Sequence, residues 1–503
     1  MRHASLLALL AGLAVAPPSP GTAAGPVLRV AVGIEAAKRL QRIDGFGVNV
    51  TPAQWRGGAL KPTLDRLVDA FVRAEMERQK VPGVAVAIVR GGEVVKVQGY
   101  GLADVEHQVP VKAETIFQSG SVGKQFTAAA VMFLVEEGKL ALSDPLTKFF
   151  PDAPAAWQGI TLRHLLTHTS GIPDYTSDTL DYRRDFTEEE LAKLAFGLAL
   201  EFPPGARWNY SNTGYVLLGI VVGKASGRFY GDLLAERVFA PLGMKTARVI
   251  SEEDIIPNRA AGYRLVEGAL KNQEWVAPKL NTTADGSLYL SALDLVAWDR
   301  GLRRGAVLKP ASWKEVYTPV RLNSGKTYPY GFGWDVEETA GQKVHRHGGA
   351  WQGFKSEIAR FLGSDLTVVV LANLAQADPE RFTDGIAGLL EPRLAKPELA
   401  PIADTEPQVT ARLQALLAAA AKGELRQEDF AYVRAGFFPE GAESLRKTLE
   451  GLGTPTAVSP LEREDLGDDR VHTYDVAYAA KSFRVVLALA PDGKVARLSL
   501  RPR

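Results

Sequence analysis

Ser121 and Lys124 lie three residues apart and could form a nucleophile and its base. Residues at this spacing share one face of a helix, so a helix that begins at Ser121 would make the hydroxyl and the amine neighbours. A serine alcohol is a weak nucleophile until a base takes its proton, and a lysine can do so when burial and nearby positive charge keep it neutral. The start of the helix would add unpaired backbone amides that can stabilise an oxyanion. Taken alone, the match is explained more simply as an N-capped surface helix, because Ser and Lys are both common residues.

Two further segments offer groups that would complete such a site. Tyr210-Ser211-Asn212 follows a Pro-Gly turn, which predicts an irregular loop that presents a phenol and an amide to a cleft. A tyrosine near a lysine can act as a phenolate base or as a proton relay. In His347-Gly348-Gly349 the glycines let a substrate backbone approach closely, while the imidazole offers a hydrogen-bond donor. The alternatives are an interfacial tyrosine and a glycine-rich turn beside a core histidine.

The order and intervals of these three segments resemble those of a known family. Ser121-x-x-Lys124, Tyr210-x-Asn212 and His347-x-Gly349 are similar to the three motifs of the penicillin-recognising serine hydrolases. The subgroup that they resemble holds class C β-lactamases, D-Ala-D-Ala carboxypeptidases, D-aminopeptidases and related esterases. Residues 160–173, 240–244, 331–334 and 347–354 also resemble the family, and the resemblance covers residues 64–390.

The resemblance implies a role for each motif residue. Ser121 would be the acylated nucleophile and Lys124 its base. Tyr210 would relay the proton to the leaving group and help activate the deacylating water, and Asn212 would bind a substrate amide or Lys124. The backbone amides of Ser121 and Ala350 would form the oxyanion hole. Neither a metal nor an organic cofactor is implied, and the substrate would be a small molecule or a peptide.

His347 departs from the pattern of class C β-lactamases, which have a lysine at this position. A histidine is only partly charged at neutral pH, so we expect His347 to hold a β-lactam carboxylate less firmly than a lysine would. We also expect its pocket to be half open to solvent. Together with the close approach allowed by Gly349, this departure favours peptidase or esterase activity over efficient β-lactamase activity.

Other functions remain open at the level of sequence. A penicillin-binding sensor that keeps the cleft but turns over negligibly is the main alternative, and a carbohydrate-binding wall protein is a second. His164 and His168 are four residues apart on a predicted helix, a spacing that can chelate zinc, although no third ligand is evident. The family resemblance assigns these two histidines to structure.

Composition excludes several classes of function. Lys+Arg 59 against Asp+Glu 58 gives a net charge of +1, so no overall field attracts nucleic acid or acidic lipid. The absence of cysteine excludes disulfides, thiolate metal sites and cysteine nucleophiles. With 46% hydrophobic and 23% charged residues, the 503-residue chain has the composition of a soluble globular protein of two or three domains.

The first 24 residues have the pattern of an export signal. Arg2 precedes an apolar run at residues 6–16, and small residues end at Ala24, where we expect cleavage. An uncleaved anchor helix is the alternative, but the apolar run is well short of the roughly 20 residues that cross a bilayer. The sequence therefore predicts a periplasmic or secreted protein without a transmembrane anchor.

The elements that must position the motifs follow from hydrophobic periodicity. Strand patterns at residues 84–89, 94–100, 330–336, 354–361 and 367–371 flank helical patterns at 127–137, 161–167, 187–198, 215–225 and 292–302. Helical patterns at residues 60–80 and 379–394 lie outside these strands. The sequence thus predicts an α+β fold of the β-lactamase/transpeptidase type, in which helices flank an antiparallel sheet interrupted by a helical insertion.

Domain boundaries follow from composition. We predict an extension at residues 25–59, the hydrolase domain at 60–390, a proline-rich linker at 391–408 and a small α+β domain at 409–503. That last domain has helical patterns at 411–421 and 442–452 and strand patterns at 471–478, 483–490 and 494–500. Within the extension, residues 43–55 are similar to the opening of some glycosidase barrels, but no barrel follows, and we interpret them as non-catalytic.

Overall fold

The computed structural model describes residues 61–176, 180–432 and 437–503. The predicted export signal, the extension and its segment 43–55 lie outside the described residues. No helix in the described ranges is long and apolar enough to cross a membrane.

The strands fall into five sheets, of which a seven-stranded antiparallel sheet is the largest. In chain order they are Gly83–Arg90 (β1), Glu93–Asp104 (β2), Val109–Pro110 (β3), Ile116–Gln118 (β4), Arg248–Val249 (β5), Tyr263–Val266 (β6), Ala269–Asn272 (β7), Leu288–Ser291 (β8), Val320–Arg321 (β9), Thr327–Tyr328 (β10), Asp335–Thr339 (β11), Gln342–Trp351 (β12), Phe354–Phe361 (β13), Leu366–Ala372 (β14), Ala457–Leu466 (β15), Asp469–Ala477 (β16), Ser482–Leu489 (β17) and Val495–Pro502 (β18).

The α-helices of the described residues pack around the large sheet or belong to the C-terminal region. They are Lys61–Gln79 (α1), Lys124–Glu136 (α2), Leu162–Leu166 (α3), Glu188–Phe196 (α4), Asn212–Ser226 (α5), Tyr230–Leu234 (α6), Ala240–Leu242 (α7), Ala292–Arg303 (α8), Pro310–Val316 (α9), Pro379–Leu390 (α10), Pro407–Lys422 (α11) and Ala442–Leu449 (α12).

Strand order in the large sheet shows how the chain is folded back on itself. The order is β11-β12-β13-β14-β1-β2-β3, so the N-terminal strands join the strands that come after the helical insertion. Strand β1 pairs with β14 on one side and with β2 on the other. This arrangement confirms the predicted fold class of one antiparallel sheet interrupted by helices.

Both faces of the sheet are covered, because alternate residues of β1 enter two different cores. Val84, Val86 and Ile88 pack with helices α1 and α10. Ala85, Ala87 and Val89 pack on the other side with α2 and α8. All eight residues of β1 are buried, as expected for a central strand between two helical layers.

Helix α2 lies inside the larger of these cores. Every residue from Lys124 to Leu134 is buried, and its apolar residues face all directions, which is the pattern of a fully enclosed helix. The sequence predicted its start three residues too late, at Thr127, because a buried lysine and glutamine do not match a hydrophobic pattern. The result is that Lys124 stands in the first turn of a helix with no solvent around it.

Two other predicted elements differ from the structure. The strand predicted at residues 330–336 begins only at Asp335, because the preceding Gly331-Phe332-Gly333-Trp334 forms a turn in which Gly333 has a φ of +72° and packs on the backbone of Lys124. The helix predicted to reach residue 394 ends at Leu390, because Pro392 disfavours helical backbone in the residue before it.

The C-terminal region forms a separate four-stranded meander, β15-β16-β17-β18, covered by α11 and α12. Strand β15 was missed from the sequence because charged residues dominate its second half. Helix α11 begins at Pro407, inside the predicted linker. Leu394 in the same segment is buried, and the amide of Ile402 donates to the carbonyl of Pro460. The proposed domain boundaries stay predictions.

Candidate active site

Ser121 lies half-buried in a tight turn at the start of α2. The turn is a 3-10 helix over Gly120–Gly123, and the α-helix begins at Lys124, so the helical turn that places Ser121 beside Lys124 starts as a 3-10 helix. Gly120 has a φ of +50°, and a Cβ on it would lie 2.4 Å from the amide nitrogen of Ala350. The turn differs from a regular helix because it packs directly on the backbone of strand β12.

A second glycine makes the same contact from the side of the strand. A Cβ on Gly349 would lie 2.0 Å from the carbonyl oxygen of Ser119 and 3.0 Å from the amide nitrogen of Ser121. Only glycine fits at this distance, because the obstructing atoms belong to the backbone and cannot rotate away. The packing brings the backbone of Ser121 next to that of Ala350, which is the arrangement that two oxyanion-hole amides require.

Lys124 is fully buried and surrounded by oxygen atoms. Its Nζ lies 3.0 Å from Ser121 Oγ and 2.6 Å from Asn212 Oδ1, and it also donates to the backbone carbonyl of Asp285. Burial lowers the pKa of Lys124 to about 8, although the negative charges of Asp285 and Asp174 oppose this shift. A substantial fraction of Lys124 is therefore neutral near physiological pH.

The orientation of Asn212 is fixed by a buried carboxylate. Asn212 begins helix α5, and its Nδ2 donates to Asp174 Oδ2 at 3.0 Å. A carboxylate accepts hydrogen bonds and does not donate them, so the amide oxygen of Asn212 must face Lys124. Asp174, which the sequence analysis did not single out, thus acts on the site through Asn212.

The contacts of Lys124 determine where its lone pair points when it is neutral. Asn212 Oδ1 and the carbonyl of Asp285 can only accept, so each takes one N–H of the amine. The remaining direction faces Ser121 Oγ, where the lone pair can accept the hydroxyl proton. The site is therefore arranged for proton transfer from Ser121 to Lys124.

The hydroxyl of Tyr210 is buried beside this pair; within the described residues it makes no full hydrogen bond, and its side chain interacts with that of Ser121. Lys124 Nζ lies 4.9 Å from the centroid of its ring. Burial raises the pKa of Tyr210 well above its usual value of 10, and an interaction with Ser121 opposes the shift only in part. Of the two roles left open by the sequence, the structure favours a neutral phenol that relays a proton over a phenolate base.

His347 is buried, and both of its ring nitrogens have partners. Nδ1 lies 2.6 Å from the carbonyl oxygen of Gly348, which requires a proton on Nδ1, and Nε2 lies 2.9 Å from the hydroxyl of Tyr330. Burial lowers the pKa of His347 to about 3, and the charge of Lys124 adds to the shift. The expectation of a partly charged histidine was therefore wrong, because the ring itself is buried, although the cavity that His347 lines is open to solvent.

A directed hydrogen-bond chain continues from His347 to the Tyr210 segment. Tyr330 donates to His347 Nε2 and accepts from His168 Nε2 at 3.1 Å. His168 Nδ1 in turn accepts from the backbone amide of Ser211 at 3.2 Å. The ring of His168 also lies 4.2 Å from that of Tyr210. The chain thus fixes the neutral tautomer of His347, and its member His168 packs against the ring of Tyr210.

The predicted helix that would carry both His164 and His168 ends at Leu166, and His168 follows it with a φ of +57°. His164 Nδ1 accepts from the backbone amide of Thr161 and so caps helix α3. In the described part of the chain, no group of three or more His, Asp or Glu side chains could hold a metal ion. His164 and His168 therefore have different hydrogen-bond partners.

Two cavities meet at Ser121. The smaller, of about 220 Å³, is lined by Asn212, Tyr175, Asp285 and Trp351. The larger, of about 640 Å³, lies on the side of Tyr210 and His347. Ala350 lines both. An ester or amide bound over Ser121 would therefore extend in two directions, one on each side of the scissile bond.

Further aromatic and polar residues form the walls of these cavities. Tyr175 donates to Asp285 Oδ2 at 2.9 Å, and Trp351 Nε1 donates to Asn281 at 2.6 Å. Trp334, in contrast, is a core residue without exposure. The one sequence signal for Asp174 was its place directly after the family-like segment 160–173.

Comparison with known proteins agrees with this geometry. The β-lactamase family profile matches residues 68–391. The chain belongs to the β-lactamase family. It is 31% identical to penicillin-binding protein 4* of Bacillus subtilis (strain 168) over 314 residues, which are 59% of this chain and 69% of that protein. It is 30% identical to the D-aminopeptidase of Brucella abortus (strain S19) over 325 residues, 62% of this chain and 59% of that protein.

Solved structures show the same similarity. The octameric penicillin-binding protein homologue from Pyrococcus abyssi matches 84% of this chain and 89% of its own with a TM-score of 0.58 and 26% identity. D-amino acid amidase from Ochrobactrum anthropi SV3, complexed with D-phenylalanine, matches 66% of this chain and 98% of its own with a TM-score of 0.57 and 25% identity. These relatives identify the chain as a serine hydrolase of the β-lactamase family.

The charge state of His347 can be measured directly. With a pKa of about 3, His347 should keep its neutral tautomer throughout the range from about pH 5 to pH 8. Histidine-selective ¹⁵N NMR should show no titration of its signal, which a His347→Asn variant assigns. The exposed His107, whose pKa is raised by its hydrogen bond to Asp104, serves as the titrating control. A midpoint for His347 near pH 6.5 would contradict the buried neutral ring.

Proposed function

We propose that the chain is an exported hydrolase that opens amide or ester bonds through an acyl-enzyme on Ser121. The observation that carries the proposal is the buried amine of Lys124, held by two carbonyl oxygens with its third direction towards Ser121 Oγ. A lysine that serves only structure would be expected to keep its charge in an ion pair. Here the amine lies beside the hydroxyl of Ser121, a residue that lines both cavities.

The acylation step follows from these contacts. Neutral Lys124 takes the proton of Ser121 as the oxygen attacks the substrate carbonyl carbon, and the backbone amides of Ser121 and Ala350 receive the negative charge of the tetrahedral oxygen. When the intermediate collapses, the bond to the leaving group breaks and that group needs a proton. Tyr210, which lines the larger cavity and whose hydroxyl lies beside Ser121, passes it on from Lys124.

Deacylation uses the same groups in reverse. A water molecule takes the place of the leaving group on the side of Tyr210, loses a proton towards the Tyr210 and Lys124 pair and attacks the acyl carbon. The bond to Ser121 then breaks, and its oxygen recovers a proton from Lys124. Asn212 keeps Lys124 in position throughout, because its oxygen accepts from Lys124 and its amide nitrogen is held by Asp174.

The substrate class is proposed to be short peptides with D-residues, with small esters as the next choice. The smaller cavity of about 220 Å³ suits a short acyl group, and Tyr175 and Trp351 give it rigid aromatic walls. The printed names of the D-aminopeptidase and D-amino acid amidase relatives support the same class. A neutral His347 supports weak retention of β-lactam carboxylates at that residue.

Export rests on the signal-like first 24 residues, and a periplasmic or secreted location suits an enzyme of cell-wall peptides. The alternative function is a penicillin-binding sensor that is acylated but hydrolyses its acyl-enzyme negligibly. The position of the Tyr210 hydroxyl beside Ser121 and the lowered pKa of Lys124 favour turnover over such a trap.

Covalent labelling tests the nucleophile. A fluorophosphonate should add one adduct to the protein, at Ser121, because the serine hydroxyl is the acylated group whichever substrate is natural. Intact-mass analysis and peptide mapping measure the adduct, and Ser121→Ala should show none. Labelling at another serine would overturn the assignment. Multiple turnovers of p-nitrophenyl acetate exclude the sensor, whereas a single burst without turnover would support it.

Replacement of Lys124 tests the base. Lys124→Met keeps the length of the side chain and removes the amine, so kcat for p-nitrophenyl acetate should fall by about 10²–10⁴ with the fold retained. Lys139→Met, which changes an exposed lysine beyond the end of the same helix, is the matched control. Circular dichroism checks that both variants are folded. An activity of Lys124→Met within about tenfold of the parent would show that the amine is not the base.

A further inference from the structure

The loop that carries Tyr210 has no regular structure of its own. Residues 202–211 form neither helix nor strand and lead directly into helix α5. Two backbone amides near the end of this loop bind the segment of His168. The amide of Asn209 donates to the carbonyl of His168 at 2.9 Å, and the amide of Ser211 donates to its Nδ1 at 3.2 Å. The position of the loop therefore depends on its contacts with other parts of the chain.

The C-terminal region contacts this loop through an ion pair and aromatic side chains. Arg207 Nη1 lies 2.8 Å from an oxygen of Asp469, the first residue of strand β16. The Arg207 guanidinium also lies 4.9 Å from the ring centroid of Tyr432, and the ring of Phe202 packs edge-on against the same ring at 5.8 Å. The backbone amide just before Tyr432 donates to β18 at 2.9 Å, so Tyr432 is part of the C-terminal region.

A second contact reaches the loop through the hairpin of β9 and β10. Gly467 lies in the turn between β15 and β16, where a Cβ would be 2.9 Å from Leu322 Cδ1 and 3.5 Å from Tyr328 Cδ2. The ring of Tyr328 in turn stacks on that of Trp208, with 4.2 Å between the centroids and 9° between the planes. Trp208 follows Arg207, so both contacts meet the loop at the same place.

These contacts fall next to two tyrosines of the active site. Tyr210 comes three residues after the arginine of the ion pair, and Tyr330 comes two residues after the stacked Tyr328. The hydroxyl of Tyr330 bonds to His168, and the ring of His168 lies 4.2 Å from that of Tyr210. The C-terminal region thus contacts both segments that determine where the Tyr210 hydroxyl lies.

The ion pair is sheltered enough to hold the loop. The side chains of Arg207 and Asp469 are only 21% and 19% exposed, so solvent screens their attraction less than that of a fully exposed pair. Proton transfer requires its donor and acceptor at hydrogen-bond distance, and a small displacement of a catalytic group lowers the rate steeply. A loop without regular structure reaches such precision only when its surroundings fix it.

We infer that the C-terminal region positions the active site: Arg207, Asp469 and Tyr432 together hold the loop so that the Tyr210 hydroxyl can deliver a proton to the leaving group. The inference rests on the relay role in the proposed function and adds a task for the C-terminal region. None of these three residues lines either cavity at Ser121, so they are positioning residues that act through Tyr210.

Two esters with one acyl group and different leaving groups test the inference in the full-length protein. p-Nitrophenyl butyrate releases a phenolate that is stable at neutral pH, whereas ethyl butyrate releases an alkoxide that must be protonated as the bond breaks. The ratio of kcat/KM for the ethyl ester to that for the p-nitrophenyl ester therefore reports proton delivery. The variants are Asp469→Asn, Arg207→Met and the double variant, and Tyr210→Phe shows the effect of losing the relay.

Asp475→Asn is the matched control. Asp475 lies on the same strand as Asp469, and its side chain is 17% exposed, close to the 19% of Asp469. Its partners Arg484 and Arg503 both belong to the C-terminal region, whereas the partner of Asp469 is on the loop. The control thus removes a comparable ion pair without touching the contact at issue. Circular dichroism and thermal unfolding check that every variant is folded.

Asp469→Asn and Arg207→Met should each lower the ratio of ethyl to p-nitrophenyl ester by about three- to tenfold, and Tyr210→Phe should lower it further. The double variant should fall no further than the lower single variant, because the two residues act as one pair. KM for p-nitrophenyl butyrate should stay within about twofold of the parent, since no contact with substrate is lost. Asp475→Asn should keep the parent ratio.

Three results would overturn the inference. An equal fall on both esters, or the same fall in Asp475→Asn, would mean that the ion pair serves only the stability of the fold. If Tyr210→Phe lowers the ratio but Asp469→Asn and Arg207→Met do not, the inference alone is wrong and the relay stands. If Tyr210→Phe keeps the parent ratio, the relay in the proposed function fails and the inference fails with it.

Hydrogen exchange tests the position of the loop without turnover. In peptides that cover residues 202–215, amide exchange measured by mass spectrometry should be faster in Asp469→Asn than in the parent or Asp475→Asn, because the amides of Asn209 and Ser211 lose protection. If the parent hydrolyses neither ester, faster exchange in Asp469→Asn alone supports the inference while the choice of ester substrates fails. Unchanged exchange in Asp469→Asn would overturn the inference whatever the esters show.

Discussion

The burial of one amine is the constraint on which the rest of the site depends. Lys124 is removed from water in the first turn of a helix that is enclosed on all sides, so its charged form loses hydration, which the charges of Asp285 and Asp174 replace only in part. The protein provides oxygen acceptors from three separate elements instead, the turn of Ser121, the start of α5 and the backbone of Asp285. Proton transfer to Lys124 is possible because Asn212 and the carbonyl of Asp285 each accept one N–H of the amine, which leaves its lone pair directed at Ser121 Oγ.

Burial also determines which side chains around the cleft carry a charge. His347 stands where a cation is expected by resemblance to class C β-lactamases, yet the chain from Ser211 through His168 and Tyr330 keeps its ring neutral. The cavity on that side is lined by Lys355 and Arg501 together with the carboxyl groups of Asp335, Glu357, Asp378 and Glu380.

Much of this architecture could be predicted from the sequence, for reasons that differ between elements. The continuous apolar run of β1 and the glycine turn after it predict a hairpin locally, and the strand runs at both ends of the helical region predict the interrupted sheet. The family-like motifs predicted which side chains would meet. Strand β15 was not predicted because the charged residues in its second half obscure the alternation of apolar and polar residues. The roles of Asp174 and Asp285 depend on contacts between distant segments, and the charge of His347 depends on burial, neither of which is visible in residue spacing.

The most direct test of the central claim is the titration of Lys124 itself. Lysine labelled with ¹³C at Cε gives one signal per side chain, and Lys124→Met identifies the signal of interest. The account predicts that this signal titrates with a midpoint at about pH 8, well below the usual value of 10.5, because burial disfavours the ammonium form. A midpoint together with those of the exposed lysines near 10.5 would mean that Lys124 is a permanent cation and cannot be the base that activates Ser121.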